Sequence, residues 1–262
     1  MVKWLNQVIT LLSKKIVFKD LTIIVIFLSL LGGFFKRIIF ILIIVLLHEF
    51  GHVLVCFLFH YKIDRVEIFP FGGITKIDKH LNNSIYKDII LALGGITIQL
   101  IILFLGKIHI INNELFLEYN YIIMLFNMLP IIPLDGSKIV FELLNIIMSY
   151  NKSLISYIWI SILSIIIFIY YNLTCLVDKY IIIGLFIQKT LEIILNRQLI
   201  INKFILERKI YHLKFRKSKC KNEDPLRYKK DIKYYYYLGN KLVDEREYLC
   251  NYLGKIDLDK YQ

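Results

Sequence analysis

The sequence predicts an all-α membrane protein with about six transmembrane helices, a re-entrant or β-hairpin segment after the second, a broken fourth helix and a short cytoplasmic tail. Three observations carry that prediction. Hydrophobic residues make up 57% of the 262 positions and the mean hydropathy is +0.60, well above the roughly half-apolar balance of a soluble domain. The apolar residues, mostly Ile, Leu and Phe, lie in long uncharged runs of the length needed to cross ~30 Å of hydrocarbon. Basic residues gather at the ends of those runs and beyond Leu195.

The N-terminal stretch Met1 to Asp20 carries Lys3, Lys14, Lys15 and Lys19 without a small-residue cleavage site, so it is expected to be retained. The first span is Leu21 to Phe35, closed by Lys36 and Arg37; the second is Ile38 to Phe59 and the third Asp88 to Gly106. The fourth starts near Tyr119 and is broken by Pro130 and Pro133, which cannot continue a helix. The fifth is Leu154 to Asn172 and the sixth Tyr180 to Leu195. Between the second and third spans, Arg65 to Ile77 reads RVEIFPFGGITKI, and Gly72-Gly73 suits a tight turn between short β-branched stretches. Residues 1–195 are thus expected to form the membrane domain, with its core at 38–148, and residues 196–262 a basic tail, partly helical around Asp244 to Leu253.

Lysine and arginine cluster before the first span and between the second and third, whereas the loop after the third has only Lys107. The positive-inside rule then puts both termini in the cytoplasm. The net charge of +12, with 17 Lys or Arg against 9 Asp or Glu from Asn196 onward, fits orientation and contact with anionic lipid better than nucleic acid. The four cysteines, Cys56, Cys175, Cys220 and Cys250, form no C-x-x-C pair and suggest neither a disulfide framework nor a thiolate metal site.

Chemistry concentrates at His48-Glu49-Phe50-Gly51-His52, an H-E-x-x-H motif inside the 22-residue second span. Residues four apart share a helical face, so both imidazoles can reach one Zn²⁺ while Glu49 stands beside as general base. Ionisable groups at the bilayer centre cost at least ~2.5–3.5 kcal/mol on insertion scales and persist where they work. Catalytic zinc takes a third protein ligand, and Asp135, Glu142, Glu192 and His60 are the candidates. Asp135 sits on unwound backbone between Pro133 and Gly136, where it could reach a metal or cap the helix that follows. A membrane metal transporter or a non-catalytic scaffold would also tolerate such residues; the transporter would leave Glu49 dispensable and the scaffold would need neither histidine.

HEFGH in the second span, PFGG after it and N-x-x-P-x-x-P-L-D-G in the fourth resemble the site-2 protease family of intramembrane metalloproteases, and within it the bacterial branch typified by stage IV sporulation protein FB. The resemblance covers Ile38 to Arg208. It implies that His48, His52 and Asp135 bind zinc, that Glu49 is the catalytic base, and that Asn127 and Pro133, with Phe71, Gly72 and Gly73, engage substrate. It also implies regulated cleavage of a membrane-associated protein, the precursor of a sporulation sigma factor, under inhibitory membrane partners and on the mother-cell side of the membrane.

Overall fold

The run of Ile, Leu, Val and Phe from Ile38 to Leu47 lies in the first described helix, α1, Phe35–Leu58. A computed structural model describes residues 16–18, 32–33, 35–69, 72–171, 177–211, 213, 215, 217–220, 224–238 and 241–253. Most of the first expected span, Leu21 to Phe35, lies outside the described residues. The chain divides into two units, 1–79 with 90–129, and 80–89 with 130–262.

In the first unit, α1 buries a face running from Ile44 through His48, Glu49, Gly51, His52 and Val53 to Cys56. It is followed by β2, Lys62–Phe69, and β3, Gly72–Asp78, paired antiparallel with Phe69 opposite Gly72. Their connection, Pro70 and Phe71, lies outside the described residues. A short strand β1, Ile16–Phe18, pairs parallel with β2, so the order is β1-β2-β3 and β3 is an edge among the described residues. The sheet is fastened to α1 by Val66 against Val53, with Leu42, Leu46, Phe57 and Ile63 packed around them. Two more helices follow: α2, Ile85–Lys107, of which residues from Ile90 on belong to this unit, and α3, Glu114–Asn127. The Asn113 side chain accepts the Phe116 N–H, satisfying one of the orphan donors at the start of α3.

The second unit holds α4, Asp135–Ile147; α5, Tyr150–Tyr171; α6, Val177–Leu195; and α7, Arg197–Ile210. Beyond α7 comes a second three-stranded sheet, with β4, Lys217–Cys220, parallel to β5, Ile232–Leu238, and β5 antiparallel to β6, Lys241–Asp244. Helix α8, Glu245–Leu253, closes the described chain. The described residues beyond α6 thus form helices and a sheet. Their core is aromatic: Tyr228, Tyr234, Tyr236 and Leu249 bury against Phe204, Tyr150 and Tyr157. Tyr150 stacks on Phe204 at 3.9 Å between ring centroids and Tyr236 on Tyr248 at 3.7 Å, pairings that add to simple area burial.

Among the described residues three helices are long and apolar enough to cross a membrane: Phe35–Leu58, Ile85–Lys107 and Tyr150–Tyr170. The fourth expected span is two pieces of 14 and 13 residues, each about 20 Å long at 1.5 Å per residue, short of the ~30 Å hydrocarbon core. Helix α6 has 19 residues but carries Lys189 and Glu192 near its end.

Candidate metal centre

Helical periodicity brings His48 and His52 to one face of α1, and their Nε2 atoms lie 3.1 Å apart. Each ring is oriented by its other nitrogen. His52 Nδ1 is 2.8 Å from the Leu91 carbonyl, and His48 Nδ1 is 3.0 Å from the Gln99 side-chain oxygen. Both partners only accept, so each Nδ1 carries the proton and each Nε2 keeps its lone pair. Two lone pairs meeting at this spacing match an edge of a tetrahedral zinc site, about 3.3 Å for Zn–N bonds near 2.0 Å. Ring orientation through the distal nitrogen is the usual support of a metal-bound histidine.

The helix that supplies both acceptors comes unusually close to α1. A Cβ on Gly51 would lie 2.2 Å from the Gly94 carbonyl oxygen, and one on Gly95 would lie 2.3 Å from His48 Cε1. Gly95 therefore makes the space in which the imidazole stands, while Gly51 and Gly94 let the two backbones meet, as small residues do at close helix crossings in membranes. Asn120 of α3, fully buried, donates to the Gln99 backbone carbonyl at 2.9 Å.

Glu49, also buried, points to the hairpin. Thr75 on β3 donates to its Oε2 at 2.6 Å. A Cβ at Gly73 would lie 2.4 Å from Glu49 Cγ, so only glycine leaves room for the carboxylate there. Beside it opens a cleft of about 370 Å³ lined by Ile43, Leu46, Leu47, Phe50, Val53 and Val66, with Glu49 its one polar lining residue among those described.

In the second unit, Asp135 is the first residue of α4 and is buried. The cap position falls on Leu134 with no side-chain hydrogen bond, and Asp135 instead pairs with Lys138 at 2.8 Å, so it does not act as the cap. The unwound stretch before it is satisfied from α5, where Ser161 Oγ accepts the Ile132 N–H at 3.0 Å and Tyr157 meets Ser137 at 3.2 Å. Of the rival ligands, His60 is exposed after α1, Glu192 is paired with Lys189 on the surface, and Glu142 is paired with a buried lysine. Asn127 is half-buried at the end of α3, donating to the Ile123 carbonyl, and Pro133 is half-buried in the break. Gly72 stands at the start of β3, and Phe71 lies outside the described residues.

Among the described residues, His48, His52 and Asp135, all buried, make up the grouping of His, Cys, Asp and Glu that could hold a metal ion, one ligand atom from each. Residues 36–114 match Peptidase family M50. Over 133 residues the chain is 35% identical to stage IV sporulation protein FB of Bacillus subtilis, covering 48% of this chain and 46% of that protein. It is 28% identical over 142 residues to a zinc metalloprotease of Methanocaldococcus jannaschii, covering 50% and 42%. The chain therefore spans under half the length of these two relatives. A solved site-2 protease from Methanocaldococcus jannaschii has a TM-score of 0.48 at 22% identity, covering 76% of this chain and 93% of that one.

The M50 match contains α1, the hairpin and α2, and stops at the first residue of α3. Sequence reasoning found its histidines and glutamate but missed Gln99, Leu91, Thr75, Asn120 and the glycine pair 94–95. Two of these carried a signal: Gln99 and Asn120 are polar side chains within apolar segments, which at membrane depth are functional by default. The Leu91 carbonyl carries none, because a backbone group is the same at every position.

Proposed function

We propose that this chain is an intramembrane zinc metalloprotease in which His48, His52 and Asp135 hold zinc and Glu49 is the general base. The observation that carries it is the pair of Nε2 lone pairs 3.1 Å apart, with both Nδ1 protons committed to fixed acceptors and Glu49 next in sequence on the same helix. When bound, zinc supplies Lewis acidity that makes a water nucleophilic near neutral pH and polarises the scissile carbonyl. Glu49 takes the proton of the attacking water and passes it to the leaving amine. Thr75 fixes the carboxylate's direction from one oxygen, leaving the other for that transfer. Gln99 and Leu91 hold both histidines in the ligating tautomer throughout.

The substrate is a membrane-associated protein, and the motif resemblance together with the sporulation relative makes a sigma-factor precursor the first to test. An extended substrate segment pairs its backbone with β3, an edge among the described strands, whose Gly73 lies beside Glu49, as peptides add to open sheet edges. Asn127 and Pro133 are further candidates for substrate contact on the strength of the motif resemblance. Both termini face the cytoplasm, where the basic C-terminal region meets anionic lipid. Co-expression with a tagged sigma-factor precursor tests the reading. The wild type releases the shortened product and Glu49→Gln does not; release by Glu49→Gln at wild-type yield contradicts it.

A further inference from the structure

Four consecutive residues of the second unit, Tyr228 to Asp231, each engage a helix end or helix carboxylate. The Tyr228 carbonyl accepts the N–H of Tyr150, the first residue of α5, at 2.9 Å. The Lys229 ammonium donates to the carbonyl of Ile147, the last residue of α4. The Lys230 ammonium donates to Asp88 Oδ2 at 2.6 Å and Glu142 Oε1 at 2.7 Å. The Asp231 carboxylate accepts the N–H of Ile85, the first residue of α2, at 3.0 Å. Asp231 itself has φ of 62°, a left-handed conformation that costs free energy and is kept only where surroundings over-determine it.

The Lys230 cluster is deeply buried, with side-chain exposures of 2% for Lys230, 5% for Asp88 and 8% for Glu142. Buried ion clusters of this kind are poor devices for stability, since apolar replacements serve as well or better; their attested use is to fix one arrangement among several. What this one fixes is α4. Lys230 grips Glu142 and Lys229 grips the carbonyl that ends the helix, while Asp135 begins it. Glu142 lies seven residues after Asp135, two helical turns and about 10 Å along the same face. A metal ligand tolerates displacements of only about 0.2 Å, so the C-terminal end of α4 must be held for its first residue to be useful. Helix α4 is also held against α5, through Ile132 and Ser137 and through the Phe141 ring, 5.0 Å from that of Tyr157.

We propose that Lys230 is a positioning residue for Asp135, acting through α4, so that the region after α7 sets the affinity of the metal centre; this rests on the assignment of Asp135 as a zinc ligand. Zn²⁺ affinity of the full-length protein in detergent, measured by competition with a chromophoric chelator, tests it together with the unfolding temperature. Lys230→Met binds Zn²⁺ about tenfold or more weakly, the range of supporting-residue losses at metal sites. Should that variant not fold, Lys230→Met/Asp88→Asn/Glu142→Gln, which leaves no buried charge unpaired, decides: it unfolds at the wild-type temperature yet shows the same loss. Wild-type Zn²⁺ affinity in either folded variant overturns the proposal. Loss in Asp135→Asn with no loss in the Lys230 variants overturns the coupling and leaves the ligand assignment intact. No Zn²⁺ binding by the wild type, or undiminished binding by Asp135→Asn, overturns both.

Discussion

For His48 and His52 the decisive property is the partner of the nitrogen that faces away from the proposed metal. Gln99 can be exchanged for Leu with little change in volume, but His48 Nδ1 then loses its acceptor. Gln99→Leu is expected to weaken Zn²⁺ binding roughly 10- to 100-fold, readable by chelator competition; unchanged affinity would remove Gln99 from the centre. Thr75→Val takes the donor from Glu49 Oε2. A hydrogen bond to a charged group is worth about 1.5–3 kcal/mol, so kcat is expected to fall roughly 10- to 100-fold with zinc content unchanged. The motif residues were legible because their relation is local: four positions make one helical turn and a bit, whatever surrounds them. Thr75 was not, since its role depends on how the hairpin lies against α1.

Among the elements, the crossing of α1 and α2 depends on Gly51 and Gly94, where backbone meets backbone. Gly51→Val is expected to push the helices apart and lose Zn²⁺ with all polar groups intact, measured as metal per purified, correctly inserted protein; retained metal would show that the crossing has slack. The clasp around Lys230 gives a pH dependence. Burial opposes its charge, but Glu142 and Asp88 outweigh that and hold its pKa above the ordinary lysine range. A raised pKa contributes stability fully present below the unfolded value, about 10.4, and lost as pH rises through the folded value. Thermal unfolding of the wild type should therefore lose this contribution only at pH above about 10, and Lys230→Met should lack that alkaline component. The same decline in both would contradict the assignment. The long apolar helices and the proline break were readable from composition and Pro130 and Pro133. The second sheet was not. Its central strand reads IKYYYYL, with Tyr234 and Tyr236 buried to 1% while Tyr237 is 57% exposed. Tyrosine on both faces erases the alternation of apolar and polar residues by which a half-buried strand is recognised.

The whole molecule combines an apolar HExxH helix with a basic C-terminal region, and the proposed function requires a sidedness. In the proposed topology the hairpin and the C-terminal region lie on the cytoplasmic side, so thiol labelling in intact cells should fail to reach cysteine at Lys76→Cys, introduced on β3. Labelling from outside would reverse the topology and the release of product to the cytoplasm. The central claim is that His48, His52 and Asp135 together hold one zinc and that Glu49 does not. Zinc per purified protein, measured by atomic absorption on the wild type and four variants, tests it most directly. The account predicts about one equivalent in the wild type and in Glu49→Gln, and large losses in His48→Ala, His52→Ala and Asp135→Asn. Full occupancy in Asp135→Asn, or loss in Glu49→Gln matching that of the histidine variants, would contradict it.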